Sequence, residues 1–169
     1  MKASGELPYG QLPVLDVDGT RIAQSVAIAR YCGKVSGLYP QDNDLDAARV
    51  DELLDAASQI TYLVSATIRE KDMEKRMALR TELGTETLPH WLGFLESRLT
   101  KNVDPNYFVG NNLTVADLAI WRLLGWLTGG FLDGIPTSLL DKHSALKAHY
   151  AAVGSRPDIQ DWMSRDHSA

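Results

Sequence analysis

The chain opens with a short mixed segment and continues with apolar positions at helical spacing. Residues 14–17 are mostly apolar, and they are followed by Asp18 and Gly19, a pair that is a strong signal for a two-residue hairpin turn. Residues 21–23 can then pair back on the first run. The pattern predicts a β-hairpin over residues 13–23.

A first helix is predicted directly after the hairpin. Ser25 precedes the largely apolar segment 26–32, and Gly37 supplies a residue suited to the left-handed conformation that ends many helices. The pattern predicts a helix from Ser25, acting as N-cap, to Gly37. Cys32 falls on the apolar side of this helix, and we expect it to be a buried, unreactive thiol.

Two long helices follow a polar linker at residues 40–44. Asp44 is a candidate N-cap, and apolar residues recur every three or four positions from Leu45 onward, which predicts an amphipathic helix to about Arg69. A second helix is predicted over 74–101. Pro89 lies inside it and is expected to kink rather than end it, because the apolar pattern continues to Leu99.

A capping box marks the start of the next helix. Thr114 is the candidate N-cap and Asp117 the N3 partner, with Leu113 placed to pack on Leu118. The residues that follow are apolar nearly all round, which is typical of a central helix. The capping box has a role in folding and implies no chemistry. Further helices are predicted at 136–142, 144–153 and 157–164.

These elements predict an α+β chain that is mostly α. We expect a partial α/β segment at residues 1–39 and an all-helical domain at 44–165, with the polar linker between them.

Composition limits the partners. The 169 residues are 44% hydrophobic and carry a net charge of −5 with no long basic run, which argues against nucleic acid. A single cysteine excludes an internal disulfide, and no apolar stretch has the length of a membrane span. We therefore expect no membrane partner and a cytoplasmic location.

No metal site is expected. His90, His143, His149 and His167 lack the spacing of metal ligands, so we interpret them as surface or core residues. The four tryptophans fall at helical spacings among aliphatic residues, which favours core packing over a ligand platform.

The hairpin entrance has the features of a peptide-binding edge. A cis bond between Leu12 and Pro13 would turn the backbone of Leu12 outward, where an extended ligand could pair with it. Ser25 places a hydroxyl at the amino end of a helix, where free N–H groups and the helix dipole favour an anion. Gln24 adds an amide beside it. The set suits a small peptide with a carboxylate at one end.

Lys2-Ala3-Ser4, Tyr9-Gly10-Gln11-Leu12-Pro13 and Gln24-Ser25 together resemble the glutathione site of the soluble, cytosolic glutathione transferases. The resemblance is to their tyrosine-type classes (sigma, pi, alpha and mu) and extends through the helical remainder. It implies a thioredoxin-like fold for the first segment and glutathione as co-substrate. By resemblance, the backbone of Leu12 pairs with the cysteinyl unit across Pro13.

The same resemblance assigns the two ends of glutathione. Gln24 and Ser25 would hold the γ-glutamyl end, while Lys2 and Gln11 would reach toward the glycyl end. In the family a strand, a helix and a strand precede the segment that matches Lys2 to Tyr9, and they carry the tyrosine that activates the thiol. We therefore expect no catalytic residue in this sequence: either it is a truncated form, or it binds without catalysing.

The resembled enzymes are two-fold dimers, which implies a homodimer here. Tyr9 matches the aromatic residue that inserts into the helical domain of the neighbouring subunit. The alternative interpretation is that Tyr9 is a loop residue packed on its own chain. Arg30 and Asp51 match a pair that crosses the two-fold axis. Gln59 stands where the family often has an acidic residue near the γ-glutamyl amine, which predicts weaker glutathione binding.

The activity implied by the resemblance is detoxifying transfer of glutathione to hydrophobic electrophiles. Ser65, Ile68 and Arg69, at the end of the first long helix, are the candidates for the electrophile pocket. Sigma-type relatives also isomerise prostaglandin-type endoperoxides. The alternatives are a non-catalytic binding or dimerising protein and a structural one.

Overall fold

The computed structural model describes residues 7–165. It is mostly helical with one small sheet, in the order β1 (Val14–Val17), β2 (Thr20–Ala23), α1 (Ser25–Val35), α2 (Asp44–Ile68), α3 (Met73–Glu82), α4 (Leu88–Thr100), α5 (Val115–Thr128), α6 (Ser144–Gly154) and α7 (Pro157–Ser164). A π-helical turn, Leu83–Thr87, joins α3 to α4, and a 3₁₀ turn, Leu139–Lys142, precedes α6. This architecture confirms the predicted fold class.

The predicted hairpin is confirmed. β1 and β2 pair antiparallel with Val14 opposite Ala23 and Val17 opposite Thr20. Asp18 and Gly19 both have positive φ, 50° and 84°, as the turn requires.

Two predictions about α1 are wrong. The residue before the helix is Gln24, so Ser25 is the first helical residue and not its cap. Cys32 is exposed, because the two-stranded sheet and the helical domain leave that face of α1 uncovered. The predicted end is close: α1 stops at Val35, and Gly37 follows with a φ of 75°.

The first long helix ends at Ile68, one residue short of the prediction, but its cap differs. Asn43 is the N-cap, and its side-chain oxygen accepts hydrogen bonds from the backbone N–H groups of Leu45 and Asp46. Asp44 lies inside the first turn, where its negative charge favours the positive end of the helix dipole.

The predicted second long helix is present, since helical backbone runs without a break from Met73 to Thr100, but its middle turn is π-helical. The α-helical pattern is interrupted by the π-helical turn Leu83–Thr87, and Pro89 lies in the first turn of α4, where its missing N–H costs least. Gly84 in this turn packs closely on the loop before α6, since a Cβ there would lie 2.7 Å from Cδ of Pro136.

The core is centred on α5, which packs against α2 and α6. The capping box at its start is confirmed and entirely buried. Asp117 accepts hydrogen bonds from the backbone N–H of Thr114 at 2.7 Å and from its hydroxyl at 2.8 Å. Asp117 also accepts from the N–H of Phe108 at 2.9 Å and lies 3.0 Å from Nε2 of the buried His149.

The expectation that all four tryptophans pack in the core is wrong for one of them. Trp91, Trp121 and Trp126 are half-buried, and Trp121 stacks on Tyr150 with ring centroids 6.3 Å apart. Trp162 is 56% exposed, because α7 is a short terminal helix that buries no residue fully.

None of the helices within residues 7–165 combines the length and the apolar character needed to cross a bilayer. Nor do these residues contain a group of three or more His, Cys, Asp or Glu side chains placed to hold a metal ion.

Candidate functional site

The entrance to β1 exposes the backbone that the sequence singles out. The Leu12–Pro13 peptide bond is cis, and Leu12 is 73% exposed. Gln11 and Pro13 beside it are exposed as well. Since β1 begins at Val14, the backbone N–H and C=O of Leu12 lie outside the two-stranded ladder and can pair with an extended ligand.

The junction of β2 and α1 is the second part of the site. Gln24 has a φ of 73°, in the left-handed region that residues other than glycine rarely adopt. Such conformations cluster at ligand-binding positions. Gln24 and Ser25 are both exposed, and the first N–H groups of the eleven-residue helix α1 are free to bind an anion.

A cavity of about 440 Å³ opens beside Ser25, between α1, α2 and α5. Its walls combine hydroxyl groups with apolar side chains and a single charged side chain. The described residues that line it are Ser25, Val26, Ala29, Leu54, Ala57, Ser58, Thr61, Ser65, Ala119, Arg122, Leu123 and Trp126. This volume is within the range of small-molecule sites.

Of the three predicted electrophile-pocket residues, the structure brings only Ser65 into this cavity. Ile68 is half-exposed at the last turn of α2, and Arg69 lines a separate shallow depression with Lys71 and Lys75. Neither Ile68 nor Arg69 lines the cavity beside Ser25, so this cavity supports only Ser65 among the three predicted residues. Lys2 lies outside the described residues.

Sequence reasoning missed several residues of the cavity wall. Ser58 and Thr61 are among the missed residues, and with the predicted Ser65 they recur at three and four residue intervals on α2, which indicates a polar stripe on one helix face. Arg122 and Trp126 come from α5, and their approach to Ser25 depends on tertiary packing that no local pattern records.

Arg30 and Asp51 join α1 to α2 within one chain. Arg30 donates from Nε to Asp51 Oδ1 at 2.6 Å, and the hydroxyl of Tyr39 donates to the same oxygen at 3.0 Å. The two side chains therefore pair within one chain, and their place at a two-fold axis stays a prediction. The hydrogen bond to Asp51 raises the pKa of Arg30, while burial, followed by the hydrogen bond to Asp51, raises the pKa of Tyr39.

Tyr9 and a cleft on the opposite face of α2 bear on dimer formation. Tyr9 is 66% exposed and packs little on its own chain. A cleft of about 340 Å³ between α2 and α4 is lined by Ala56, Trp91, Phe94 and Leu95 among others, and Phe94 is 55% exposed. An exposed aromatic residue and an aromatic cleft are thus present on the same molecule.

The described residues combine a β-hairpin with exposed backbone at its entrance, a helix that follows it directly, and a set of packed helices that border a cavity of small-molecule size. The family model for the C-terminal domain of glutathione S-transferases matches residues 59–166. Among curated proteins, a glutathione S-transferase of Plasmodium yoelii yoelii is 31% identical over 166 residues, which cover 96% of this chain and 72% of that protein. The chain belongs to the glutathione S-transferase family.

Two further similar proteins are named as prostaglandin synthases. The hematopoietic prostaglandin D synthase of Mus musculus is 33% identical over 165 residues, covering 94% of this chain and 79% of that protein. The structure of prostaglandin synthase D of Nilaparvata lugens superposes with a TM-score of 0.83 at 28% identity, covering 96% of this chain and 77% of the other.

Proposed function

We propose that this protein binds glutathione at the β2–α1 junction and transfers its sulfur to a hydrophobic electrophile held in the neighbouring cavity. The observation that carries the proposal is that Ser25 belongs to both places: it begins α1 and it lines the 440 Å³ cavity. A tripeptide anchored at Ser25 therefore lies beside the space for a second substrate.

Each end of glutathione has a partner in this arrangement. The γ-glutamyl carboxylate would accept hydrogen bonds from the Ser25 hydroxyl and the first N–H groups of α1, with Gln24 beside them. The cysteinyl backbone would pair with Leu12, which is exposed and outside the strand ladder. Gln11, and Lys2 from the segment before it, would face the glycyl carboxylate.

The proposed chemistry is nucleophilic attack by the thiolate. The glutathione thiol gives its proton to water, and the thiolate electron pair forms a C–S bond. In an addition, the displaced bonding pair of the electrophile takes up a proton from water; in a substitution, a leaving group departs with its bonding pair. The apolar walls, Leu54, Ala57, Leu123 and Trp126, would hold the hydrophobic part of the electrophile.

A second candidate is a sigma-type prostaglandin isomerase that uses glutathione as cofactor. The similarity to prostaglandin D synthases of mouse and Nilaparvata lugens favours it. In such an isomerisation the endoperoxide O–O bond is cleaved and glutathione is recovered unchanged, so the substrate and product have the same atoms.

The proposal includes a cytoplasmic homodimer. Tyr9 of one copy would enter the α2–α4 cleft of the other, against Trp91 and Phe94, because a large aromatic side chain in an apolar pocket is a typical interface anchor. The single cysteine and the family fit the reducing cytoplasm.

The test is calorimetric titration of the chain with glutathione, paired with turnover of 1-chloro-2,4-dinitrobenzene. We expect saturable binding that Ser25→Ala weakens about tenfold, since a hydrogen bond to a charged group is lost. Ser36→Ala is the matched control, because Ser36 follows the other end of α1 and its hydroxyl donates to the carbonyl groups of Cys32 and Gly33. Binding with turnover supports transfer; binding without turnover overturns the catalytic part, and no binding overturns the whole.

A further inference from the structure

Arg122 is the one charged side chain among the described residues that line the site cavity. It projects from α5, whereas the hydroxyl groups of Ser58, Thr61 and Ser65 belong to α2. Within residues 7–165 no carboxylate forms an ion pair with Arg122. Its guanidinium therefore keeps its N–H donors available to a ligand.

Arg122 is next to apolar and aromatic side chains in two cavities. Trp126 lies one helical turn further along α5, and both residues also line a second cavity, of about 430 Å³. The walls of that second cavity are largely aromatic: Trp121, Phe131, Tyr150 and Trp162, with Met163 and Gly125. A ligand in either cavity would therefore meet apolar surface and the Arg122 guanidinium together.

We propose that Arg122 is a specificity-determining residue for the second substrate, and that the preferred electrophile carries a carboxylate. The inference rests on the proposed function, because it places the electrophile in the cavity beside Ser25. The hydrophobic part of the electrophile packs on Leu123 and Trp126, and its carboxylate accepts hydrogen bonds from the Arg122 guanidinium.

The probes are two glutathione conjugates of nearly equal shape. One is formed with 4-chloro-3-nitrobenzoate and the other with 4-chloro-3-nitrobenzamide; in each, the C–S bond replaces the C–Cl bond and chloride leaves with the bonding pair. The conjugates differ only in carboxylate against carboxamide. Because they are finished products, their binding, measured by calorimetry, does not depend on activation of the thiol.

We expect the intact chain to bind the carboxylate conjugate about threefold to tenfold more tightly than the carboxamide conjugate, as for a partly exposed charge pair. Arg122→Gln removes this preference, Arg122→Lys retains part of it, and Arg122→Glu reverses it. Added salt reduces the preference in the unaltered chain, since the pair is partly screened.

Arg49→Gln is the matched control. Arg49 is a similarly exposed arginine, paired with Asp46 on α2, and it does not line the cavity. Its loss changes the net charge by the same amount and is expected to leave the preference unchanged. Thermal melting of each variant establishes that it is folded. We expect the Arg122 variants to fold, because Arg122 is exposed.

Two results would overturn the inference alone: equal affinity of the unaltered chain for both conjugates, or a preference that persists in Arg122→Gln. Failure of the folded, unaltered chain to bind either conjugate would instead overturn the proposed function itself. The two failures are thus separate observations.

Discussion

Arg30 donates from Nε to Asp51 Oδ1 at 2.6 Å, and this contact ties α1 to α2 five residues after Ser25. Further along, the backbone N–H of Val115 donates to the carbonyl of Leu38 at 2.8 Å, and Gly33 packs on Val115. The carboxyl half of α1 is therefore anchored to the helical domain, whereas its first turn borders the cavity. The position of Ser25 depends on these anchors.

A double-mutant cycle on Arg30→Gln and Asp51→Asn measures the first anchor. Both side chains are about one-third exposed, so we expect a coupling free energy of about 1 kcal/mol, reduced by salt. Urea unfolding of the four proteins gives the value. Additive losses would show that the pair contributes nothing beyond its separate side chains.

Tyr39 is expected to ionise above the usual phenol range, because burial and the hydrogen bond to Asp51 raise its pKa. The folded pKa lies above the unfolded value, so the stabilising contribution is complete below about pH 10 and is lost as pH rises through the folded pKa. Absorbance titration of tyrosine, compared between the chain and Tyr39→Phe, isolates this group. A normal titration of all six tyrosines would contradict the expectation.

The buried capping box is expected to dominate cap energetics. The Asp117 carboxylate accepts hydrogen bonds from Phe108, Thr114 and His149. The amide of Asp117→Asn cannot accept all of them, so this variant should lower the free energy of unfolding by about 3 kcal/mol. Asp72→Ala, at the exposed cap of α3, should cost about 1 kcal/mol or less. Denaturant unfolding compares them, and equal losses would show that burial does not matter.

Tyr9→Ala is expected to weaken self-association about thirtyfold, the effect of losing a central aromatic anchor. Phe94→Ala, in the cleft that would receive it, should have a similar effect, and the double variant should add little. Phe131→Ala is the control, since Phe131 is more exposed than Tyr9 or Phe94 but lines the cavity beside α5. Sedimentation equilibrium gives the dissociation constants; an unaltered chain that stays monomeric throughout rules out this dimer.

Local patterns predicted the hairpin, the capping box and most helix positions, because these depend on residues close in sequence. Asp18 and Gly19 take the positive φ values that their types permit, and Thr114 and Asp117 form their box within four residues. Prediction failed where a distant segment decides. The exposure of Cys32 and Trp162 depends on which surfaces pack on α1 and α7, and no periodicity contains that information.

Some residues of the cavity follow from local sequence patterns, and others depend on how distant helices pack. Ser25 and Ser65 were found, one from its place at a helix start and one from its place late on α2. Arg122 was not, because its neighbours in sequence are hydrophobic and mark a buried helix, while its role follows from where α5 packs against α1 and α2.

The π-helical turn Leu83–Thr87 sets the rotational phase of everything after it. A π turn holds one more residue than an α turn, so shortening this segment by a single residue would rotate α4 by about 100° about its axis. Leu88, Leu92, Leu95 and Leu99, now fully inside, would swing toward solvent, and the aromatic cleft with Phe94 would be dismantled. One inserted backbone unit thus decides which side of α4 faces inward and which side is offered to a second molecule.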